Sequence, residues 1–194
     1  MITIRRVRGD TLERYIPAIA QLRIEVFREF PYLYDGDLDY ERRYLQTYAD
    51  SGEAVAVLVW DDDEVVGAST ALPLRDETDA LRAPFAEHDY DVDDFFYFAE
   101  SVLRKAYRGQ GLGKRFFGER EEEARALDYP RACFCAIDRP ADHPKRPDDD
   151  RPLDDFWRKR GFVKHPELRT TLSWQEIGED GESAKPLVFW IKEL

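Results

Sequence analysis

The sequence predicts an α/β (α+β) fold with a central sheet of six to seven strands flanked by about four helices. Three observations predict it. Short apolar or alternating runs recur as strand candidates, segments with apolar residues three and four apart stand between them, and no repeat or linker divides the chain. At 194 residues the chain is read as one domain, 1-194. Its 43% hydrophobic residues supply a core, and its 36% charged residues go to the surface.

Ile2 to Val7 alternates apolar and charged residues, as an opening strand does. Asp10 and Glu13 resemble a capping box at the start of a helix carrying Leu12, Ile16, Ile19 and Leu22, which Pro17 should break or kink. Residues 31–37 read as a loop and Leu38 to Asp50 as a second helix. Ala54 to Trp60 and Glu64 to Pro73 form a hairpin around the acidic turn Asp61 to Asp63. A short helix near Thr78 to Ala86 precedes an aromatic strand, Phe95 to Leu103, then a helix, Gly111 to Leu127, and a strand, Arg131 to Ile137. The Pro- and Asp-rich stretch 138-152 reads as an insertion-like loop. A short helix, Leu153 to Lys159, and two strands, Leu168 to Ile177 and Pro186 to Lys192, complete the order.

Acidic residues outnumber basic ones 41 to 29, a net charge of -12, so a general phosphate-backbone footprint and a nucleic-acid partner are not expected. Such a surface favours solubility and attracts cations at long range. The longest apolar run, Ala54 to Trp60, is far shorter than the roughly twenty residues a membrane helix needs. The first ten residues carry charges where an export signal needs an apolar stretch. No membrane partner and a cytoplasmic location are expected. Cys133 and Cys135 suit neither a disulfide framework nor a zinc motif and project to one strand face, where core packing competes with an acyl-cysteine role. Asp35, Asp37 and Asp39 imitate the start of a calcium loop, but Tyr40 takes its glycine position. His88, His143 and His165 lack ligand spacing, so no metal is expected.

The richest constellation is Arg108-Gly109-Gln110-Gly111-Leu112-Gly113-Lys114, between a predicted strand and a predicted helix. Glycines there let successive amides converge on an anion, and the helix dipole adds positive potential. A Walker loop fails at Arg108 and Arg115, and a dinucleotide fingerprint fails at Lys114. The pattern Arg-x-x-Gly-x-Gly fits in full. The longer stretch Glu100 to Gly113 resembles the strand, turn and helix of the GNAT acetyltransferase superfamily, and Phe156 to Phe162 resembles its late helix followed by Gly-Phe. The resemblance covers nearly the whole chain.

The resemblance implies a mixed, mostly antiparallel sheet that splays open, and acetyl-CoA as co-substrate. It implies that Arg108, Gly109, Gln110, Gly111, Leu112, Gly113 and Lys114 hold the pyrophosphate, and that Val102 and Leu103 offer backbone groups to the pantetheine arm. The reaction expected is direct transfer of an acetyl group to a primary amine of a small molecule or peptide, by a monomer or homodimer. An amine must be unprotonated to attack. Glu100 is therefore the candidate general base, acting through water, with the Leu103 backbone N–H as oxyanion donor. Phe27, Tyr32 and Tyr34 stand where the family often walls its acceptor site. Trp157 replaces a tyrosine that many members use to protonate the departing thiolate, and indole is no practical acid. Lys105 replaces a common proline. Two alternatives stay open: an acyl-CoA sensor without chemistry, and a transferase using a longer acyl-CoA.

Overall fold

The computed structural model describes residues 1–194. It contains seven strands: β1 (Ile2–Arg8), β2 (Val55–Asp61), β3 (Glu64–Pro73), β4 (Phe95–Leu103), β5 (Arg131–Ile137), β6 (Val163–Gln175) and β7 (Glu182–Glu193). Five α-helices accompany them: α1 (Gly9–Phe27), α2 (Leu38–Asp50), α3 (Asp79–Glu87), α4 (Leu112–Ala126) and α5 (Asp154–Lys159). The strands lie in one sheet in the order β1-β2-β3-β4-β5-β7-β6. Every neighbouring pair is antiparallel except β4 and β5.

Both sheet faces are covered, which is why the β2 sequence reads as unbroken apolar residues. On one face, Leu12 and Ile19 of α1, Leu45 and Tyr48 of α2 and Phe85 of α3 pack with Ala56, Tyr97 and Phe189. On the other, Phe117 and Ala124 of α4 pack with Phe96, Phe98 and Phe134. Phe98 is 1% exposed, and its truncation to alanine costs about 3–5 kcal/mol.

Three local expectations need correction. Pro17 does not break α1: it and Glu13, whose carbonyl it leaves unpaired, lie on the exposed face, open to solvation. Asp10 and Glu13 form no capping box: the chain enters α1 straight from β1 through Gly9 at φ +51°, and Arg8 at the N-cap makes no side-chain cap. The sixth strand begins at Val163 rather than Leu168, and its pairing with β7 shifts register between His165 and Arg169.

Two irregularities in β4 position the site. β4 pairs with β5 only through Phe95, Phe96 and Tyr97, so the strands part beyond Tyr97 and Phe98 to Leu103 lose their partner on that side. Against β3, Ser69 faces Ser101 and Ala71 faces Phe98, leaving Ala99 and Glu100 opposite Thr70 alone. This β-bulge interrupts the alternation of side chains. Ala99 packs toward the α1 face, as Tyr97 does, and Glu100 reaches Arg23 of α1 on that same face. Ser101 then points to α4, where its Oγ accepts from Arg120.

Candidate active site

The turn after β4 has the form an anion cradle needs. Gly109 and Gly111 adopt φ +77° and +81°, conformations that disfavour any side chain. A Cβ at Gly109, Gly111 or Gly113 would meet no atom within 4 Å, so the space above the turn is open. The amides of residues 109 to 114 donate to no protein acceptor. They stand at the N-terminus of the 15-residue α4, whose dipole favours an anion. Lys114 makes no ion pair, whereas Arg108 is bound to Glu29 at 2.7 and 3.2 Å and donates through Nε to the Leu103 carbonyl at 3.0 Å. Arg108 is thus already engaged by Glu29, whereas the amides are free.

The unpaired edge of β4 leads from this turn toward the bulge. Val102 is buried in the core and Leu103 packs over Gly67 beside Phe116, so both leave backbone rather than side chain for a ligand. The bulge is braced by Arg120 of α4, which is 1% exposed and has no carboxylate partner. Its Nη1 donates to the carbonyls of Thr70 at 3.1 Å and Glu100 at 3.3 Å, its Nη2 to Ser101 Oγ at 2.9 Å, and its Nε to the Phe116 carbonyl at 3.2 Å. Burial pulls its pKa down to about 9.

On the α1 face a cavity of about 230 Å³ lies among α1, α2, α3, β6 and β7. Phe27, Tyr32 and Tyr34 all line it, together with Tyr40, Tyr44 and Trp174. Arg23 and Glu41 supply its charge. Arg23 donates through Nε to Glu41 and through Nη1 to Glu100 Oε2 at 2.6 Å, and its guanidinium lies 5.1 Å from the Phe27 ring and 4.7 Å from Tyr44. Burial opposes its charge, but Glu100 and Glu41 outweigh burial and hold its pKa well above the ordinary arginine value. One oxygen of each carboxylate, Glu41 Oε1 and Glu100 Oε1, is buried without a partner.

A hydrogen-bonded chain runs inward from the cavity. Tyr44 Oη lies 3.1 Å from Tyr48 Oη, and Tyr48 Oη lies 3.4 Å from both Glu77 Oε1 and Glu100 Oε2, with its one proton shared between the two carboxylates. Glu77 is 3% exposed, and burial pushes its pKa up to about 7. Tyr48 and Glu77 carry no spacing or motif that marks them in the sequence; only the fold brings them to Glu100.

Trp157, Cys135 and the tyrosines flanking the end of β4, Tyr97 and Tyr107, fall elsewhere. Trp157 packs against Phe134 and Trp190 at centroid distances of 5.0 and 5.2 Å, half-buried at the margin of the core on the α4 face. Tyr97 Oη lies 3.2 Å from Cys135 Sγ, and burial pushes that thiol up to about 12, where it makes a poor nucleophile. Tyr107 is bound to Asp61 beside the turn. The 138-152 loop is tied to residues 31–32 and to Glu176. Arg139 donates to the Pro31 carbonyl at 2.9 Å and pairs with Glu176, while Trp174 Nε1 holds the Tyr32 carbonyl at 3.1 Å.

The parallel strands β4 and β5 thus part beside a glycine turn at a helix N-terminus, with a cavity on the α1 face of the sheet. Residues 18–162 match the family model described as the Acetyltransferase (GNAT) family. The chain therefore belongs to the GNAT acetyltransferase family. Solved structures share its fold. A ribosomal-protein-alanine N-acetyltransferase from Brucella melitensis has TM-score 0.61 and 18% identity, covering 99% of each chain. An acetyltransferase from Salmonella typhimurium, solved with its cofactor acetyl-CoA, has TM-score 0.61 and 14% identity over 100% of this chain and 94% of that one. A GNAT family acetyltransferase from Elizabethkingia anophelis with acetyl-CoA bound has TM-score 0.55 and 14% identity over 100% and 98%. No curated protein matches the sequence. No helix is long and apolar enough to cross a membrane.

Proposed function

We propose that this protein transfers an acetyl group from acetyl-CoA directly to a primary amine of a small molecule or peptide. The observation that carries the reading is the run of free amides at residues 109 to 114 beside the unpaired edge of β4, with the cavity of Tyr32, Tyr44 and Trp174 on the other face. When bound, acetyl-CoA supplies a thioester carbon open to attack. The amides of Gly109 to Lys114 hold its diphosphate, with Arg108 and Lys114 alongside. Residues Phe98 to Leu103 pair with the pantetheine arm as a further strand would.

Glu100 accepts the amine proton through water, with Arg23 fixing its carboxylate and Oε1 left free for the exchange. The Tyr44–Tyr48 chain links the cavity to Glu100 and gives a second outlet at Glu77. The Leu103 amide is the donor proposed for the developing oxyanion. With Trp157 packed against Trp190 and its indole no practical acid, the proton for the departing thiolate comes from water. Free Cys133 and Cys135 accord with a reducing, cytoplasmic setting.

Calorimetry with acetyl-CoA, followed by an amine screen reading released CoA, tests the proposal. Saturable binding and thiol release with at least one amine support it. A folded protein that binds neither acetyl-CoA nor CoA ends it. The indole of Trp157, packed against Phe134 and Trp190 with no acidic proton to give, favours one second reading, an acyl-CoA sensor, which predicts binding without transfer.

A further inference from the structure

The acceptor cavity does not end at its aromatic wall. Tyr34, Tyr40 and Trp174 also line a second cavity of about 240 Å³. The two spaces differ in chemistry. The inner one is walled by aromatic and aliphatic side chains around Arg23 and Glu41, whereas the outer one carries Asp35, Asp37 and Glu182 against Arg43.

The inner end is short of positive charge. Glu41 is 0% exposed, and its Oε1 has no donor although Oε2 is held by Arg23. Glu100 Oε1 is in the same condition, and Arg23 is the one guanidinium shared between them. A buried carboxylate oxygen without a donor costs free energy until a donor arrives. An ammonium satisfies it. An acceptor carboxylate would instead face two carboxylates already dividing one arginine.

The outer end repeats the charge without the burial. Arg28 pairs with Asp35 at 2.9 Å, and the Asp37 carboxylate receives only the Tyr40 amide at 2.8 Å. Glu182 makes no ion pair. Allowing for Arg28 and Arg43, the outer lining still holds one carboxylate in excess. Between the ends stand Tyr34, Tyr40 and Trp174, which line both cavities and supply aromatic surface for a methylene stem, with Lys185 Nζ already 5.6 Å from the Trp174 ring.

We propose that the acceptor is a linear diamine or polyamine, whose reacting amine enters the aromatic cavity beside Glu41 while a second ammonium rests against Asp35, Asp37 and Glu182. The inference rests on the reading of this cavity as the acceptor site. Long-range attraction by a chain of net charge -12 assists capture of such a cation.

The test compares α,ω-diamines of three to six methylenes with the monoamine of equal length, and 1,5-diaminopentane with lysine, which differs by one carboxylate. The expected result is a kcat/KM for the best diamine at least tenfold above its monoamine, and tenfold above lysine for the pentane pair. Most of the gain should be in KM. In the Asp35→Asn/Glu182→Gln double variant the diamine-to-monoamine ratio falls toward one. A ratio near one in the unmodified protein, or a ratio that survives in the variant, overturns the proposal.

Titration of the same diamines without acetyl-CoA, followed by Trp174 fluorescence with Trp174→Phe as control, separates the two readings. Saturable quenching in a protein that fails to bind acetyl-CoA keeps the polyamine site and removes the donor assignment. Normal acetyl-CoA binding with no diamine quenching and no diamine turnover does the reverse.

Discussion

Arg120 and Glu100 meet across the sheet: Nη1 of Arg120 donates to the Glu100 carbonyl at 3.3 Å from the α4 side, while the Glu100 carboxylate turns to the opposite face and pairs with Arg23. One guanidinium thus collects carbonyls from both strands at the β4 bulge. Replacing Arg120 by methionine keeps the side-chain bulk but strands the carbonyls of Thr70 and Glu100. Urea unfolding is expected to show a loss of about 2–4 kcal/mol, whereas Arg115→Ala, on the exposed face of the same helix, stays within about 0.5 kcal/mol.

The two glycines of α4 and its cap are expected to respond with opposite sign. Gly111 has φ +81°, so Gly111→Ala costs about 1–2 kcal/mol of backbone strain and weakens acetyl-CoA binding, although no neighbouring atom clashes. Gly118 lies inside α4 with open space around it, and Gly118→Ala gains up to about 1 kcal/mol of stability with binding intact. Thermal melts and calorimetry on the two variants check both signs.

Glu77 gives a pH signature. Its folded pKa is raised to about 7 from an ordinary 4.5, chiefly by burial, so the folded state binds its proton more tightly than the unfolded state. Its burial therefore costs nothing by ionisation below about pH 4.5, and a penalty builds as pH rises from there, levelling off at about 3 kcal/mol above pH 7. Glu77→Gln removes that penalty. The stability difference between variant and unmodified protein, measured by urea unfolding, is expected to grow in the variant's favour between pH 5 and pH 8. A difference constant with pH contradicts the burial account of this carboxyl.

Much of the architecture is readable in the residues. Leu38–Asp50 and Phe95–Leu103 fall where periodicity and apolar runs put them, because capping by Asp37 and burial on both faces are local or compositional signals. The turn from Arg108 to Lys114 is equally legible, since glycines at fixed offsets announce a backbone that must turn and stay open. The face Glu100 occupies is not legible. Simple alternation from Phe98 puts it on the α4 side, and only the bulge opposite Thr70 returns it to Arg23. Pro17 and the absent capping box fail for a similar reason, since solvent exposure of one carbonyl and the abrupt exit from β1 are tertiary facts. Phe27, Tyr32 and Tyr34 do line one cavity, but its other wall comes from β6 and β7, more than a hundred residues later, and no spacing rule connects them.

Cys135 supplies a prediction about chemistry rather than stability. With its thiol pushed up to about 12 by burial and its Sγ beside Tyr97 Oη, the thiolate fraction at pH 8 is roughly a thousandfold below that of a free cysteine. Alkylation by iodoacetamide is expected to be slow by about that factor, and Cys135→Ala to retain turnover within a few-fold. Ping-pong kinetics abolished by Cys135→Ala would instead establish an acyl-cysteine route.

The central claim is that amides 109 to 114 and the unpaired edge of β4 receive the donor. Amide hydrogen exchange with and without acetyl-CoA tests it most directly. The expected result is at least tenfold slower exchange on binding in both 109–114 and the β4 edge, residues 98–103, with little change at Ile2–Arg8 on the far side of the sheet. Calorimetrically confirmed binding that leaves both segments exchanging at their free rates would contradict it.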